Sequence, residues 1–159
     1  MLQVKLTTVG KLKERYFKDA QSEYEKRLSK AIQLRICEIK EQEIYDETNP
    51  SYIKSALSKE AEKIKAEMDG YYNVALCVEG EGKSSEELAD FLEKLPLEGY
   101  SKVNFIIGSS FGISDEVKKT ANEKLSFSKM TFPHQLMRVI LLEQLYRAVK
   151  INENTSYHK

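Results

Sequence analysis

Hydrophobic positions in this chain follow two spacings, one typical of strands and the other typical of helices. Apolar residues alternate with polar ones over 2–6, and the pattern stops at Gly10, as expected for a strand and a turn. Over 16–28, apolar or aromatic residues recur every four positions and form the stripe of an amphipathic helix. Alternation returns over 32–36 and predicts a second strand.

The remaining segments continue the same order of strands and helices. Asn49 and Pro50 form a favourable helix start, because Asn caps free N–H groups and Pro suits the first turn. That helix is expected to reach Met68. Apolar runs predict further strands, and capped starts or apolar faces predict further helices. The strands are at 72–78, 103–107 and 125–128, and the helices run from Ser84 to Pro96, from Ser114, and over 136–148.

This alternation predicts an α/β fold with a mostly parallel sheet flanked by helices. The unbroken apolar run at 103–107 supports it, since the strands of a parallel sheet are buried on both faces. The chain has 159 residues, the size of one domain, and contains no repeat, low-complexity tract or flexible linker. We therefore predict a single domain over 1–159.

The composition is that of a folded protein without a membrane segment, with 41% hydrophobic and 31% charged residues. No apolar run approaches the roughly 20 residues needed to cross a bilayer. The N-terminal segment is patterned as a strand rather than as a signal peptide. We expect a cytoplasmic protein.

The cysteines and histidines give no sign of a metal site. Cys37 and Cys77 lie within apolar strand-like runs and are expected to be buried thiols, and no C-x-x-C motif occurs. His134 and His158 do not have the spacing of known metal-ligand motifs. We predict that the protein binds no metal.

The chain has 25 basic and 25 acidic residues, so its formal net charge is zero. This argues against a protein that coats nucleic acid by bulk electrostatics, because such domains are usually basic. The charges are unevenly distributed, however. The segment 38–69 contains nine acids and five lysines, whereas 129–159 contains five basic and two acidic residues. A polyanion would prefer the C-terminal end.

A first candidate site is the stretch Gly-Glu-Gly-Lys-Ser at 80–84, between a predicted strand and a predicted helix. That setting suits a phosphate-binding P-loop, but the G-x-x-x-x-G-K-[ST] motif requires a glycine where Cys77 stands. We interpret the stretch as a plain strand-to-helix turn. A P-loop nucleotide-binding protein is the less favoured alternative.

Two further loops are candidate ligand sites. Gly108–Gly112 follows a buried strand, where open α/β sheets bind ligands, although a simple turn explains it equally well. The segment 125–135 is rich in hydroxyl and aromatic side chains and leads into the last helix. Thr131 and Pro133 suit a helix start. The apolar density of the segment indicates a buried loop, whose backbone groups a bound ligand would satisfy.

The C-terminal residues Tyr157, His158 and Lys159 form a further candidate site. Chain ends are usually frayed, so disorder is the simplest expectation. Tyrosine, histidine and lysine together also suit stacking on a base and contact with a phosphate.

Taken together, several of these segments resemble the RlmH family, the SPOUT-class methyltransferases that methylate N3 of a pseudouridine in bacterial 23S ribosomal RNA. The resemblance covers the whole chain, is most specific over 125–148 and is weakest over 40–70. It rests on VGKLKE at 9–14, the glycine loop at 108–112, LSFSKMTFPHQLMRV at 125–139, EQLYRA at 143–148 and the terminal YHK.

The resemblance implies a C-terminal trefoil knot, a rare exception to the rule that chains do not thread their own loops. It also implies a homodimer whose paired knots form the sites, S-adenosylmethionine as the cofactor, and 23S rRNA in the assembled ribosome as the partner. The family's cofactor contacts map onto Leu76, Gly108, Phe127, Ser128, Lys129, Met130, Thr131 and Phe132.

Methyl transfer from a sulfonium is an in-line displacement, so its catalysis is mainly positioning. The proton on N3 must leave, and the candidates for accepting it or for stabilising the charge are Arg138, Tyr157 and His158. His134, at a helix start, is expected to have a structural or cofactor-loop role. The alternative within this fold is a catalytically inactive rRNA-binding assembly factor, against which the intact motifs at 108 and 127–132 argue.

Overall fold

The computed structural model describes all residues, 1–159, as a five-stranded sheet with helices on both faces. The strands lie in the order β2-β1-β4-β3-β5, and every neighbouring pair is parallel. Along the chain the elements are β1 (Gln3–Val9), α1 (Arg15–Leu28), β2 (Gln33–Ile39), α2 (Pro50–Ala66), β3 (Tyr72–Gly82), α3 (Ser85–Lys94), β4 (Lys102–Ile107), α4 (Asp115–Thr120), β5 (Glu123–Ser126) and α5 (His134–Asn152), with a 3₁₀ helix at Leu95–Glu98. The predicted α/β fold with a parallel sheet is confirmed.

The sheet separates two apolar cores. On one face, α1, α3 and α5 pack against the strands through buried residues that include Leu28, Leu92 and Leu145. On the other face, α2 and α4 pack through Ile64 and Val117. The central strand β4 contributes to both cores, which explains why its apolar run is unbroken.

A row of polar side chains crosses the sheet between its central strands. Thr7 donates a hydrogen bond to Asn104 at 2.8 Å, and Asn104 donates in turn to Asn73 at 3.0 Å. At one end of β1, Lys5 pairs with Glu67 at 2.9 Å, which lowers the pKa of that carboxyl. Because buried polar groups must find partners, this row helps to define how β1, β4 and β3 align.

Three predicted helix starts are confirmed. Asn49 accepts a hydrogen bond from the N–H of Ser51 at 3.0 Å, with proline in the first turn of α2. Ser84 and Glu87 form a complete capping box at the start of α3. Ser114 caps α4. These signals are local and need no tertiary contact, which is why the sequence locates them.

The prediction that the stretch 80–84 is a plain turn is wrong for its first three residues. Gly80–Gly82 belong to β3, which pairs again with β5 after a register shift between Leu76 and Glu81. A Cβ on Gly80 would lie 2.7 Å from the backbone of Leu125, so the close approach of the two strands requires glycine there. The glycines form extended backbone and do not build the anion-binding loop of a P-loop.

Two smaller predictions are corrected. The last strand ends at Ser126 rather than at Ser128, because Ser126 Oγ donates to the Ser128 carbonyl at 2.9 Å and the chain turns there. Cys37 and Cys77 are only half-buried. Cys37 lies on the edge strand β2, and Cys77 lies where β3 separates from β5.

No helix of the fold combines the length and the apolarity that crossing a membrane requires. No three His, Cys, Asp or Glu side chains lie together in a group that could hold a metal ion. The trefoil knot and the absence of a bound metal stay predictions.

Candidate functional site

A cavity of about 680 Å³ opens at the carboxyl end of the sheet. Its walls come from the ends of β3 and β4, from the glycine loop at 108–113, from the segment 126–133, and from the first turn of α5. Open α/β sheets bind ligands at this edge. Small-molecule sites usually measure about 300–1,000 Å³, so the cavity is large enough for a cofactor.

Most of the predicted cofactor-binding residues line this cavity. They come together because β4 and β5 lie on either side of β3, so the carboxyl ends of the three strands meet. The lining includes Leu76, Gly108, Phe127, Ser128, Met130, Thr131 and Phe132. Their role in binding a cofactor stays a prediction, but the fold brings them together around one cavity, as that role requires.

Lys129 is the predicted residue that the structure does not bring to the cavity. Its side chain is exposed, although its neighbours Ser128 and Met130 both line the wall. Ser128 Oγ accepts a hydrogen bond from the Met130 N–H at 3.0 Å, and this tight turn leaves Lys129 in solvent. Lys129 is therefore not among the lining residues of the cavity, and its role in binding a cofactor stays a prediction.

Several residues line the cavity that were not predicted from the sequence, among them Cys77, Glu79, Ile113, Lys118 and Met137. The available signal was position, because Cys77 and Glu79 follow Leu76 at the end of the first paired part of β3. Lys118 lies on a helix from the other face of the sheet and carried no such signal.

Gly108 is the most confined glycine of the site. A Cβ on Gly108 would overlap with the carbonyl oxygen of Gly112. The loop closes through a hydrogen bond from the Gly112 N–H to the Ser109 carbonyl at 2.9 Å, and Gly112 has a φ of 91°, which favours glycine. The loop therefore presents backbone rather than side chains at the cavity wall.

The charged groups at the cavity neutralise each other. Lys118 pairs with Glu79 at 2.5 Å, and its hydrogen bond lowers the pKa of that carboxyl. Burial raises the pKa of the Cys77 thiol, which keeps it protonated and a poor nucleophile at neutral pH. The cavity therefore offers apolar walls, backbone groups and hydroxyls, and its own side chains include no activated nucleophile.

His134 stands at the start of α5 and lines the cavity. Its Nε2 lies 3.6 Å from the position that a Cβ on Gly10 would occupy, and Glu41 Oε2 lies at the same distance from that point. Burial lowers the pKa of His134 below its usual range, with Glu41 acting weakly in the opposite direction. A neutral imidazole beside the cofactor loop fits the structural role that we expected for it.

This shift predicts how stability depends on pH. Below pH 6.5, the ordinary value for histidine, the unfolded chain binds a proton that folded His134 resists, so the free energy of unfolding falls as the pH drops. The loss levels off below the folded pKa. We expect wild type to lose more stability between about pH 7 and pH 5 than His134→Gln, measured by urea denaturation at each pH. Parallel pH profiles of the two proteins would contradict this.

Arg138, predicted as a catalytic candidate, is buried beneath the surface, with 1% of its side chain exposed. Its guanidinium bonds to Glu38 at 2.7 Å, to Gln21 at 3.2 Å and to the Gly10 carbonyl at 3.2 Å. It lines neither the cavity nor the hollow described below. Its side chain therefore ties α5 to β2 and α1, and its catalytic role stays a prediction.

The C-terminal tail packs on the protein rather than fraying. The ring of Tyr157 lies edge-on to Tyr146 at 4.9 Å, and its hydroxyl donates to Glu143 at 3.2 Å. Burial, followed by the nearby Glu143 carboxylate, raises the pKa of Tyr157. Tyr157 is therefore a phenol at neutral pH, which donates a hydrogen bond and does not act as a base.

His158 lies between α3 and α5. Its Nε2 is 2.6 Å from Glu86 Oε1, and its Nδ1 is 3.2 Å from a guanidinium nitrogen of Arg147. Because an arginine can only donate, Nδ1 is the acceptor, and Nε2 carries the proton that faces Glu86. Arg147 also pairs with Glu143 at 2.9 Å, which raises the pKa of the guanidinium.

A smaller hollow of about 320 Å³ adjoins the cavity. It shares Leu125, Phe127 and Phe132 with the cavity. On its far side are Ser85 and Gln144, which are hydrogen-bonded to each other at 2.6 Å. These two residues directly adjoin Glu86 and Glu143, the partners of the tail. The hollow thus borders the predicted cofactor residues, and its far side adjoins in sequence the residues that hold the tail.

Residues 2–158 match the family model described as "Predicted SPOUT methyltransferase". "Ribosomal RNA large subunit methyltransferase H" of Streptococcus thermophilus is 46% identical over 159 residues, which is 99% of this chain and 100% of that protein. The proteins of the same name from Bacillus pumilus and Lactobacillus delbrueckii subsp. bulgaricus are 46% and 42% identical, with the same coverage.

Solved structures share the fold at low sequence identity. The tRNA (m1G37) methyltransferase from Aquifex aeolicus has a TM-score of 0.50 at 15% identity, over 91% of this chain and 69% of that one. The putative methyltransferase Lpg2936 from Legionella pneumophila, solved with bound SAM, has a TM-score of 0.51 at 11% identity, over 95% of this chain and 66% of that one. The predicted resemblance is thus confirmed, and the chain belongs to the SPOUT methyltransferase family, in the group of the large-subunit rRNA methyltransferases H.

Proposed function

We propose that this chain transfers the methyl group of S-adenosylmethionine to N3 of a pseudouridine in 23S ribosomal RNA. Ribosomal RNA methylation is supported by the full-length relatives and by the family model. The observation that carries the proposal is the cavity at the carboxyl edge of the sheet. All but one of the residues onto which the family's cofactor contacts map line that cavity.

The cavity suits this methyl donor chemically. Leu76, Phe127 and Phe132 offer the apolar surface that an adenine ring prefers. The backbone at Gly108–Gly112 offers hydrogen-bonding groups, and no cluster of basic side chains is needed because the donor carries no phosphate. The cofactor is S-adenosylmethionine, and when bound it supplies an electrophilic methyl carbon on a sulfonium. Holding donor and acceptor in line is then the main task of the protein.

The smaller hollow is the proposed subsite for the target base. It adjoins the cavity through Phe127 and Phe132, so a base held there lies beside the cofactor. Ser85 and Gln144 offer a hydroxyl and an amide for the polar edge of a base. Such a base would reach the hollow only from a loop or after flipping out of its stack.

The tail is proposed to handle the proton on N3. His158 is the candidate acceptor, since Tyr157 is held as a phenol and Arg147 only donates. Accepting that proton requires His158 to release one of its present partners. Arg147 is suited to stabilise the negative charge that develops on the base as the proton leaves. Arg138, which lines neither the cavity nor the hollow, is proposed to position α5 rather than to act on the base.

We further propose that the active form is a homodimer. Leu136, Val139 and Ile140 of α5 remain only partly buried, and Met130 beside them is 73% exposed. A second copy of the chain would cover this apolar surface, and two subunits would offer a larger surface for choosing one base in an assembled ribosome. The bacterial ribosome lies in the cytoplasm, which is the proposed location.

The first test is calorimetric titration with S-adenosylmethionine, with ATP and magnesium as the parallel control. We expect micromolar binding of the methyl donor and no binding of ATP. Methyl transfer is then measured with labelled donor on ribosomes that contain or lack the pseudouridine. A methyl group on N3 blocks Watson–Crick pairing, so modified rRNA should stop reverse transcription at the target.

Other outcomes decide against the proposal. Binding of ATP but not of the donor would support a nucleotide-binding protein. Donor binding without methyl transfer to any ribosomal particle would support the inactive assembly factor. Methylation of ribosomes that lack pseudouridine would overturn the proposed base. Within the proposal, His158→Ala is expected to lower the rate constant of methyl transfer at least about 100-fold while the donor affinity stays unchanged.

A further inference from the structure

The segment 11–18 is rich in basic residues and has the sequence Lys-Leu-Lys-Glu-Arg-Tyr-Phe-Lys. We call it the basic segment. It contains four basic residues and one acid, in a chain whose formal net charge is zero. It connects β1 to α1 and forms the first turn of that helix. Neither the cavity nor the hollow uses any of its side chains.

Its cations are exposed and contribute little to the fold. Lys11, Lys13 and Lys18 are exposed and form no ion pair within the chain. The Arg15 side chain is 91% exposed and has only a long contact, 3.8 Å, to Asp19. Leu12 is buried and anchors the segment. Exposed charges of this kind add little to stability. We therefore interpret their clustering as a surface for a partner outside the chain.

An exposed tyrosine, in contact with a half-buried phenylalanine, lies among these cations. Tyr16 is 65% exposed, and its ring meets that of Phe17 edge-on at 4.6 Å. Large aromatic rings in solvent, interleaved with lysine and arginine, are typical of surfaces that bind single-stranded nucleic acid. The cations contact phosphates, and a base stacks on the ring.

The basic segment is joined directly to the candidate site. The Lys13 N–H donates to the Gln135 side chain at 2.8 Å, and Gly10, just before the segment, approaches His134. Both of these partners lie in the first turn of α5, where His134 lines the cavity. An RNA strand held on the segment therefore lies next to the cavity that is proposed to hold the methyl donor.

On the other side of Gly10, an acidic loop limits where an RNA strand can run. The loop after β2 contains Glu41, Glu43, Asp46 and Glu47 against Lys40 alone. Carboxylates repel a phosphate backbone, whereas the basic segment attracts it. RNA leaving the site is thus guided over α1 and away from the loop at 41–47.

We infer that the basic segment binds the rRNA backbone beside the target nucleotide, with Tyr16 as a stacking platform for a flanking base. This inference rests on the proposed rRNA methyltransferase function and names how the same site holds its substrate. The ligand chemistry is a single-stranded or looped RNA of about the length of the segment. A ribosomal protein as the partner instead is one outcome of the test.

The experiment compares two triple variants of the full-length protein that carry the same charge change. Lys11→Gln, Lys13→Gln and Lys18→Gln together remove three cations of the basic segment. Lys54→Gln, Lys59→Gln and Lys119→Gln together remove three exposed lysines from α2 and α4, on the opposite face of the sheet. Binding to protein-free 23S rRNA is measured from low to high salt, and donor binding is measured by calorimetry.

We expect the basic-segment variant to bind protein-free 23S rRNA about tenfold more weakly at low salt, with a salt slope smaller by about 2. The control variant should match wild type, and both should keep wild-type donor affinity. Tyr16→Ala should weaken RNA binding with an unchanged salt slope, because stacking releases no counterions.

Equal RNA binding by the two triple variants would overturn the inference. So would a loss by the basic-segment variant that appears only on ribosomes and not on protein-free rRNA, since that would point to a ribosomal protein as the partner. If wild type itself binds the donor but methylates neither ribosomes nor protein-free 23S rRNA, the proposed function fails first. That result is distinguishable because it does not depend on any variant.

Discussion

Gly108→Ala is expected to weaken the binding of S-adenosylmethionine by at least about tenfold, or about 1.4 kcal/mol. The new Cβ would overlap with the carbonyl oxygen of Gly112, so the loop must open by moving backbone rather than a flexible side chain. Overpacking of this kind costs about 1–3 kcal/mol, and the strained backbone is the wall of the cavity. Calorimetric titration with the donor measures the loss, and circular dichroism checks that the variant is folded.

Gly82→Ala is the matched control. A Cβ at Gly82 meets no atom within 4 Å, and its φ lies outside the left-handed region, so the same chemical change should leave donor affinity unchanged. Gly82 is also the glycine before Lys83 in the P-loop-like stretch, so unchanged donor affinity in this variant counts against a role of that stretch in binding the donor. Wild-type affinity in Gly108→Ala would show that the glycine loop does not form the donor site.

Arg138→Ala is expected to destabilise the protein by about 3 kcal/mol, measured by urea denaturation. Removing one member of a buried ion pair typically costs about 3–5 kcal/mol. We expect the lower end of this range, because 38% of the Glu38 side chain is exposed and water can reach it. The Gly10 carbonyl also loses its donor, and a space opens under α5.

This prediction separates a structural role of Arg138 from a catalytic one. Arg138→Met keeps most of the volume without the charge and should cost less than the alanine variant. Arg15→Ala, at a side chain that is 91% exposed, should change stability by no more than about 0.5 kcal/mol. If Arg138→Met retains wild-type stability and donor affinity but loses methyl transfer, the guanidinium acts in catalysis and our placement of it is wrong.

The candidate site could be predicted only in part from the sequence. Its position after a buried strand drew attention to the glycine loop, and its apolar density drew attention to the segment before α5. The family resemblance then assigned residues within both. Lys129 was assigned with its neighbours because a sequence motif does not distinguish the two sides of a turn. Lys118 was missed because it reaches the cavity from α4, on another segment of the chain.

The tail illustrates the same limit. Its residue types were recognised as suited to RNA or to proton transfer, but nothing local predicted that they would be ordered. The order comes from Glu143 and Arg147 on α5 and from Glu86 on α3. Those groups are distant from the tail along the chain. Glu86 faces the tail only because α3 and α5 pack side by side.

The features that could be predicted correctly from the sequence are local. The starts of α2, α3 and α4, the strand and helix periods and the α/β class all follow from interactions within a few residues, so their signals are complete in the sequence. Only the tertiary structure decided the burial of Arg138, the extension of β3 through Gly80–Gly82 and the half-exposure of the cysteines. Each of these depends on which distant backbone or side chain comes to lie beside the residue. That pairing is set by the packing of the whole sheet and its two cores, which no short stretch of the chain contains.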